Sequence, residues 1–116
     1  MRVLITGAAG FIGYHLCRSL LEDDYEVLGI DNLNDYYDPN LKTTRLEQLN
    51  SYKNFKFEKV DIAHRESLTN SFLSFKPQKV VNLAAQAGVR YSIKNPYAYM
   101  DSNLVGFLNI IELCRH

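Results

Sequence analysis

Three glycines spaced three apart, Gly7, Gly10 and Gly13, limit most what this chain can fold into. They lie in Thr6-Gly7-Ala8-Ala9-Gly10-Phe11-Ile12-Gly13, between the apolar run Arg2-Val3-Leu4-Ile5 and an apolar-periodic segment from Phe11 to Leu21. A strand, a glycine turn and a helix in that order build a cradle for a pyrophosphate. Gly7 permits the tight turn, Gly10 lets backbone approach the phosphates, and Gly13 lets the helix pack close to the strand. The free N–H groups of the helix start and the positive end of its dipole then face the anion. A glycine triplet by itself is a weak signal, so its reading depends on the residues around it.

At 116 residues the chain is expected to form one domain, spanning 1–116, that buries roughly two-thirds of its unfolded surface. Thirteen acids balance thirteen bases, which excludes a basic field for nucleic acid or an anionic membrane and removes a barrier to self-association. Cys17 and Cys114 sit in helix-like apolar segments and read as small buried hydrophobes. Two distant cysteines make no disulfide framework and no metal-ligand pattern, so no metal is expected. Glycines interrupt the first apolar run after four residues, unlike a signal peptide, and no segment reaches the ~18 apolar residues of a membrane span. The chain reads as cytoplasmic.

Strand-like and helix-like patterns alternate along the chain. Strands are expected over Val3–Thr6, Glu26–Ile30, Phe55–Val60 and Lys79–Ala84. Helices are expected over Phe11–Glu22, Leu41–Leu49 (apolar at 41, 46 and 49) and Arg65–Phe75, which Lys76-Pro77 ends. Asp31 to Asn40 reads as a polar, tyrosine-rich loop, and Pro96 opens a long helix to about Cys114. Alternation implies right-handed βαβ crossovers, and near-continuous apolar strands imply helices on both faces. The expected fold is therefore α/β: a three-layer αβα unit with a parallel sheet of about four strands in the order 3-2-1-4. A doubly wound dinucleotide fold continues past that point, so the unit is expected to be truncated before strand five, with Lys79–Ala84 as an exposed edge.

Asp31 is the second anchor. It closes the second strand 18 residues after Gly13, near the ~20-residue spacing of a ribose-binding acid. A carboxylate there accepts hydrogen bonds from ribose hydroxyls and repels a 2′-phosphate, which favours NAD over NADP. Asp61-Ile62 follows the third strand, where it could meet an adenine edge or simply form a turn or helix cap. Leu83-Ala84-Ala85-Gln86-Ala87 ends the fourth strand with small side chains, suited equally to a cofactor or to tight helix–sheet packing.

These three signals together resemble the extended short-chain dehydrogenase/reductase superfamily, with its Rossmann-type fold. Within it, Asn32-Leu33-Asn34-Asp35-Tyr36-Tyr37-Asp38-Pro39, Gly88-Val89-Arg90-Tyr91-Ser92 and Asn103-Leu104-Val105-Gly106-Phe107-Leu108-Asn109 resemble UDP-glucuronate 4-epimerases. The resemblance covers essentially the whole chain. It implies that Gly7, Gly10, Phe11, Ile12 and Gly13 wrap the pyrophosphate of NAD. Asp31 and Asn32 would hold the adenosine ribose, and Asp61 and Ile62 the adenine. Leu83, Ala84, Ala85 and Gln86 would line the nicotinamide side, with Asn103 nearby. Arg90 would face a phosphate of the UDP-sugar substrate, or stand as a solvated loop arginine. Asn82 departs from the pattern, since relatives often carry histidine there.

The family's reaction, by the same resemblance, is transient oxidation and re-reduction at sugar C4, using a Tyr-x-x-x-Lys pair on a helix beyond strand five. The single formal match here, Tyr52-Lys53-Asn54-Phe55-Lys56, enters a strand, where residues four apart lie about 13 Å from each other. It is rejected as catalytic, so the chain carries no catalytic residues and is expected to be inactive alone. His15, His64 and His116 read as structural or solvent-facing. The last helix is apolar around most of its circumference, and relatives dimerise through it, so a homodimer or larger assembly is expected through residues 96–114. Two other readings remain: a sugar-nucleotide dehydratase or decarboxylase of the same superfamily, and a non-catalytic NAD-binding module.

Overall fold

Four strands, β1 (Arg2–Thr6), β2 (Glu26–Asp31), β3 (Phe55–Lys59) and β4 (Lys79–Asn82), form one parallel sheet in the order β3-β2-β1-β4. The computed structural model describes residues 1–33, 39–84, 97 and 101–115. Helices α1 (Phe11–Glu22), α2 (Pro39–Leu49) and α3 (Arg65–Phe75) follow the first three strands in turn. A π-helical turn over Asp101–Val105 leads into α4 (Gly106–Arg115). This is the α/β, Rossmann-type sheet order that the strand–helix alternation implies.

The central strand explains the layering. β1 pairs with β2 from Arg2↔Glu26 to Thr6↔Ile30, and with β4 from Val3↔Lys79 to Thr6↔Asn82. Successive strand side chains point to opposite faces. Val3 and Ile5 therefore pack with Cys17 and Leu21 of α1 and Leu46 and Leu49 of α2. Leu4 packs on the other face with Leu28, Ile30, Leu68 of α3 and Ile110 of α4. A strand enclosed on both faces needs apolar residues at every interior position, which is why Val3-Leu4-Ile5 shows no alternation.

Several boundaries differ from expectation. β3 stops at Lys59 and β4 at Asn82, before Val60 and Ala84. α2 starts at Pro39, two residues before Leu41, because proline's fixed φ suits a first helical turn. Leu41 is exposed, and the buried stripe runs Lys42, Leu46, Leu49, a spacing of four and three that keeps one face inward. Of the long helix expected from Pro96, the structure describes a π-helical turn and then α4; Pro96 lies outside the described residues. Its apolar circumference is not enclosed: Gly106 and Ile110 are buried, whereas Leu104, Phe107, Leu108 and Ile111 are exposed. Cys17 is buried, which pushes its thiol up to about 12, but Cys114 is exposed on α4 instead of packed. β4, at the sheet edge, is half-buried at Val80, Val81 and Asn82. No helix among the described residues is long and apolar enough to cross a membrane.

Two glycines lock α1 onto β1. Gly7 has φ +74°, a left-handed conformation that side chains disfavour. A Cβ at Gly13 would lie 2.8 Å from the Gly7 carbonyl carbon and closer still to its oxygen, so the helix has no room to carry one. Gly13→Ala is therefore expected to destabilise the domain by about 3 kcal/mol or more, read by urea unfolding, because the clash is with backbone that cannot give way.

Candidate functional site

The turn after β1 is built by backbone alone. The N–H groups of Gly7 and Ala8 both donate to the Ile30 carbonyl of β2, at 2.7 and 3.2 Å, and Gly10 N–H donates to the Gly7 carbonyl at 3.0 Å. Gly10 caps α1 with extended backbone and no side-chain hydrogen bond. The first amides of any helix lack intrahelical acceptors, and a serine or aspartate cap would have satisfied one of them. A Cβ at Gly10 would meet only the Gly7 carbonyl oxygen, at 3.3 Å, and otherwise open space. The helix start thus presents donors to a free volume bordered by Phe11 and Ile12, both about two-thirds exposed. Arg45 of α2 reaches across, donating to the Ala9 carbonyl at 2.9 Å with its guanidinium 5.9 Å from the Phe11 ring centre.

Asp31 ends β2 directly beside this turn. Its side chain is buried, and each oxygen takes one backbone amide: Oδ2 accepts from Ala9 N–H at 3.1 Å, and Oδ1 accepts from Leu33 N–H at 2.8 Å. The second bond holds Leu33 in a left-handed conformation, φ +56°, which a leucine adopts only at a cost. The Lys42 ammonium lies 3.6 Å from Oδ1, itself buried. The carboxylate therefore ties the glycine turn, the end of β2 and the start of α2 to one another. Sequence reasoning missed Lys42, because lysine ordinarily marks a solvated face. The signal was its place four before Leu46 and seven before Leu49.

The other candidates are placed less evenly. Asp61 is exposed and forms a turn: its Oδ1 accepts from Ala63 N–H at 2.9 Å and its carbonyl from His64 N–H at 2.8 Å. The Ile62 side chain is buried in the core, and its carbonyl accepts from Asn109 of α4 at 2.9 Å. Leu83 and Ala84 sit against the glycine turn, where a Cβ on Gly7 would lie 2.8 Å from the Leu83 carbonyl carbon. Thr6 joins the same place: its hydroxyl donates to Asn82 Oδ1 and accepts from Ala84 N–H, the latter at 3.0 Å. Asn103 is half-buried within the π-helical turn, a distortion often found at functional sites. Ala85, Gln86 and Arg90 lie outside the described residues, as does His116.

The structure thus gathers Gly7, Gly10, Phe11, Ile12, Gly13, Asp31, Asn32, Leu83 and Ala84 at the carboxyl ends of β1, β2 and β4. The strand order reverses between β2-β1 and β4, and open α/β sheets bind ligands at such a switch point. The Tyr52 hydroxyl donates to Glu22 at 3.1 Å, and Lys56 is exposed on β3. A groove of about 370 Å³ lined by Tyr14, Arg18, Gln48, Leu49, Ser51 and Tyr52 shares no residue with the candidate site. Among the described residues no group of three or more His, Cys, Asp or Glu side chains is placed to hold a metal ion.

Known proteins are similar to this chain in sequence and in fold. The chain is 52% identical to Protein CapI of Staphylococcus aureus, covering all of this chain and 34% of that protein. It is 47% identical to the UDP-glucuronate 4-epimerase of Thermodesulfobacterium geofontis, over 97% of this chain and 35% of that one. The crystal structure of UDP-glucuronic acid 4-epimerase from Bacillus cereus, in complex with UDP-glucuronic acid and NAD, superimposes with a TM-score of 0.89 at 36% identity, covering 100% of this chain and 37% of that one. The chain thus spans about a third of the length of the curated relatives it matches. The family model described as GDP-mannose 4,6 dehydratase matches residues 4–116, with the whole glycine turn and Asp31 inside the match, and the chain belongs to that family.

Proposed function

We propose that residues 1–116 are the NAD-binding portion of a nucleotide-sugar 4-epimerase that interconverts UDP-glucuronate and UDP-galacturonate. The observation that carries this reading is the meeting of an uncapped helix start with a buried carboxylate at the ends of β1 and β2. The residues suit a dinucleotide, because the space before α1 is one that any side chain at Gly10 would fill. The similarity to UDP-glucuronate 4-epimerases supports the choice of sugar. The description of the matching family model favours, as a second reading, a dehydratase built on the same cofactor half.

When bound, NAD would take up and return the two electrons removed at sugar C4. The chain's own residues bind and orient. The first-turn amides of Phe11, Ile12 and Gly13 hold the pyrophosphate, aided by the helix dipole. Asp31 and Asn32 hold the adenosine ribose, while Asp61 and the backbone of Ile62 border the adenine. By the same resemblance, Leu83 to Gln86 and Asn103 would line the nicotinamide side, and Arg90 would meet a phosphate of the UDP-sugar. No helical Tyr-x-x-x-Lys lies within these residues, so proton removal from the sugar falls to residues outside them. The free thiols of Cys17 and Cys114 suit a cytoplasmic, reducing compartment. The exposed Leu104 of the π-helical turn and Phe107, Leu108 and Ile111 of α4 form the contact of a homodimer or larger assembly.

Titration of the isotope-labelled chain with NAD should shift the amides of Gly10, Gly13 and Asp31, with weak affinity. A Kd below about 1 µM, near 8 kcal/mol of binding, would contradict an open site. Gly10→Val should weaken NAD binding at least tenfold while costing only about 1 kcal/mol of stability. Residues 1–116 alone should show no conversion of UDP-glucuronate in a coupled assay, and measurable turnover would overturn the claim that they lack the catalytic half. Light scattering at tens of micromolar should report a dimer or larger species; a monomer would remove the α4 contact.

A further inference from the structure

Lys42 is the one buried lysine among the described residues, and the established roles of a dinucleotide site leave it unexplained. Lysine is almost never fully buried unless paired. Here it heads the inward stripe of α2, in a position that Leu46 and Leu49 continue, and its ammonium stands 3.6 Å from Asp31 Oδ1. That distance is an ion pair beyond good hydrogen-bond range, so the ammonium's three donors are not consumed by this carboxylate.

The consequence concerns which dinucleotide the site accepts. A lone buried aspartate at a strand end rejects a 2′-phosphate by charge repulsion. Asp31 is not alone. Its two oxygens already accept the Ala9 and Leu33 amides, and Lys42 supplies a compensating positive charge in the same buried environment. We propose that Lys42 is a specificity-determining residue on the adenosine-ribose side: it cancels the Asp31 charge, so the site selects the ribose diol by hydrogen bonding and excludes a 2′-phosphate only modestly. This rests on the reading of the site as dinucleotide-binding. Arg45, one turn further along α2 and bonded to the Ala9 carbonyl, adds a second cation to the same side of the glycine turn.

The test compares NAD and NADP affinities by calorimetry or by amide-shift titration of the chain, for the unaltered protein and for Lys42→Met, Lys42→Gln and Lys42→Arg. The unaltered chain should prefer NAD over NADP by less than about a hundredfold. Lys42→Met and Lys42→Gln should each widen that preference about tenfold or more, because the phosphate loses its counter-charge, while Lys42→Arg should keep it. A lysine that served packing alone would weaken both nucleotides equally and leave the ratio unmoved, which would overturn the proposal. Saturable NAD binding with no detectable NADP binding in the unaltered chain would overturn it too. If Lys42→Met fails to fold, as judged by circular dichroism, the ratio in Lys42→Gln and Lys42→Arg decides. An unaltered chain that binds neither nucleotide would instead overturn the dinucleotide reading itself, and this proposal with it.

Discussion

The contact between Gly13 and the Gly7 carbonyl is the constraint on which the rest depends. It sets how near α1 approaches β1, and through that approach it fixes where the helix start stands relative to the ends of β2 and β4. With a side chain at either position the helix would be displaced outward, Ala9 N–H would leave Asp31, and the Leu83–Ala84 backbone would lose its seat against Gly7. The site is thus a product of one steric permission, followed by hydrogen bonds that only the permitted geometry allows.

Asp31 is the electrostatic counterpart of that permission. A carboxylate buried at a strand end must be compensated, and here two amides and an ammonium do so from three different segments of the chain. Removing one partner leaves a charge with nothing to oppose it, so the group binds the segments together more strongly than its two bond lengths indicate. The left-handed Leu33 is the visible cost of that arrangement.

Much of the fold was legible because its signals are local. Val3-Leu4-Ile5 and Val27-Leu28 are apolar on consecutive positions, which only a strand covered on both faces tolerates, and glycine spacing marks the turn. What escaped the sequence was decided by tertiary partners. Pro39 reads as loop until it opens a helix. Leu41 and Lys42 exchange their expected places because the strongest local demand is a counter-ion for Asp31, and Lys42 is positioned to meet it. Cys114 and the apolar face of α4 are exposed because composition reports how much apolar surface a helix has, not what covers it. Asp61 shows the converse case, since its turn geometry was one of two readings that its residue type allowed.

Thr6 has a consequence of a different kind. Its hydroxyl is wholly buried between β1 and β4, giving its proton to Asn82 and taking one from Ala84 N–H, while its carbonyl takes another from Leu83 N–H at 3.2 Å. Through these two oxygens one residue rivets β1 to the end of β4. Leu83 and Ala84, the first residues beyond β4, are thereby held against the glycine turn, so the two segments can move only together. The two walls of the site, far apart in sequence, are in this sense one mechanical part.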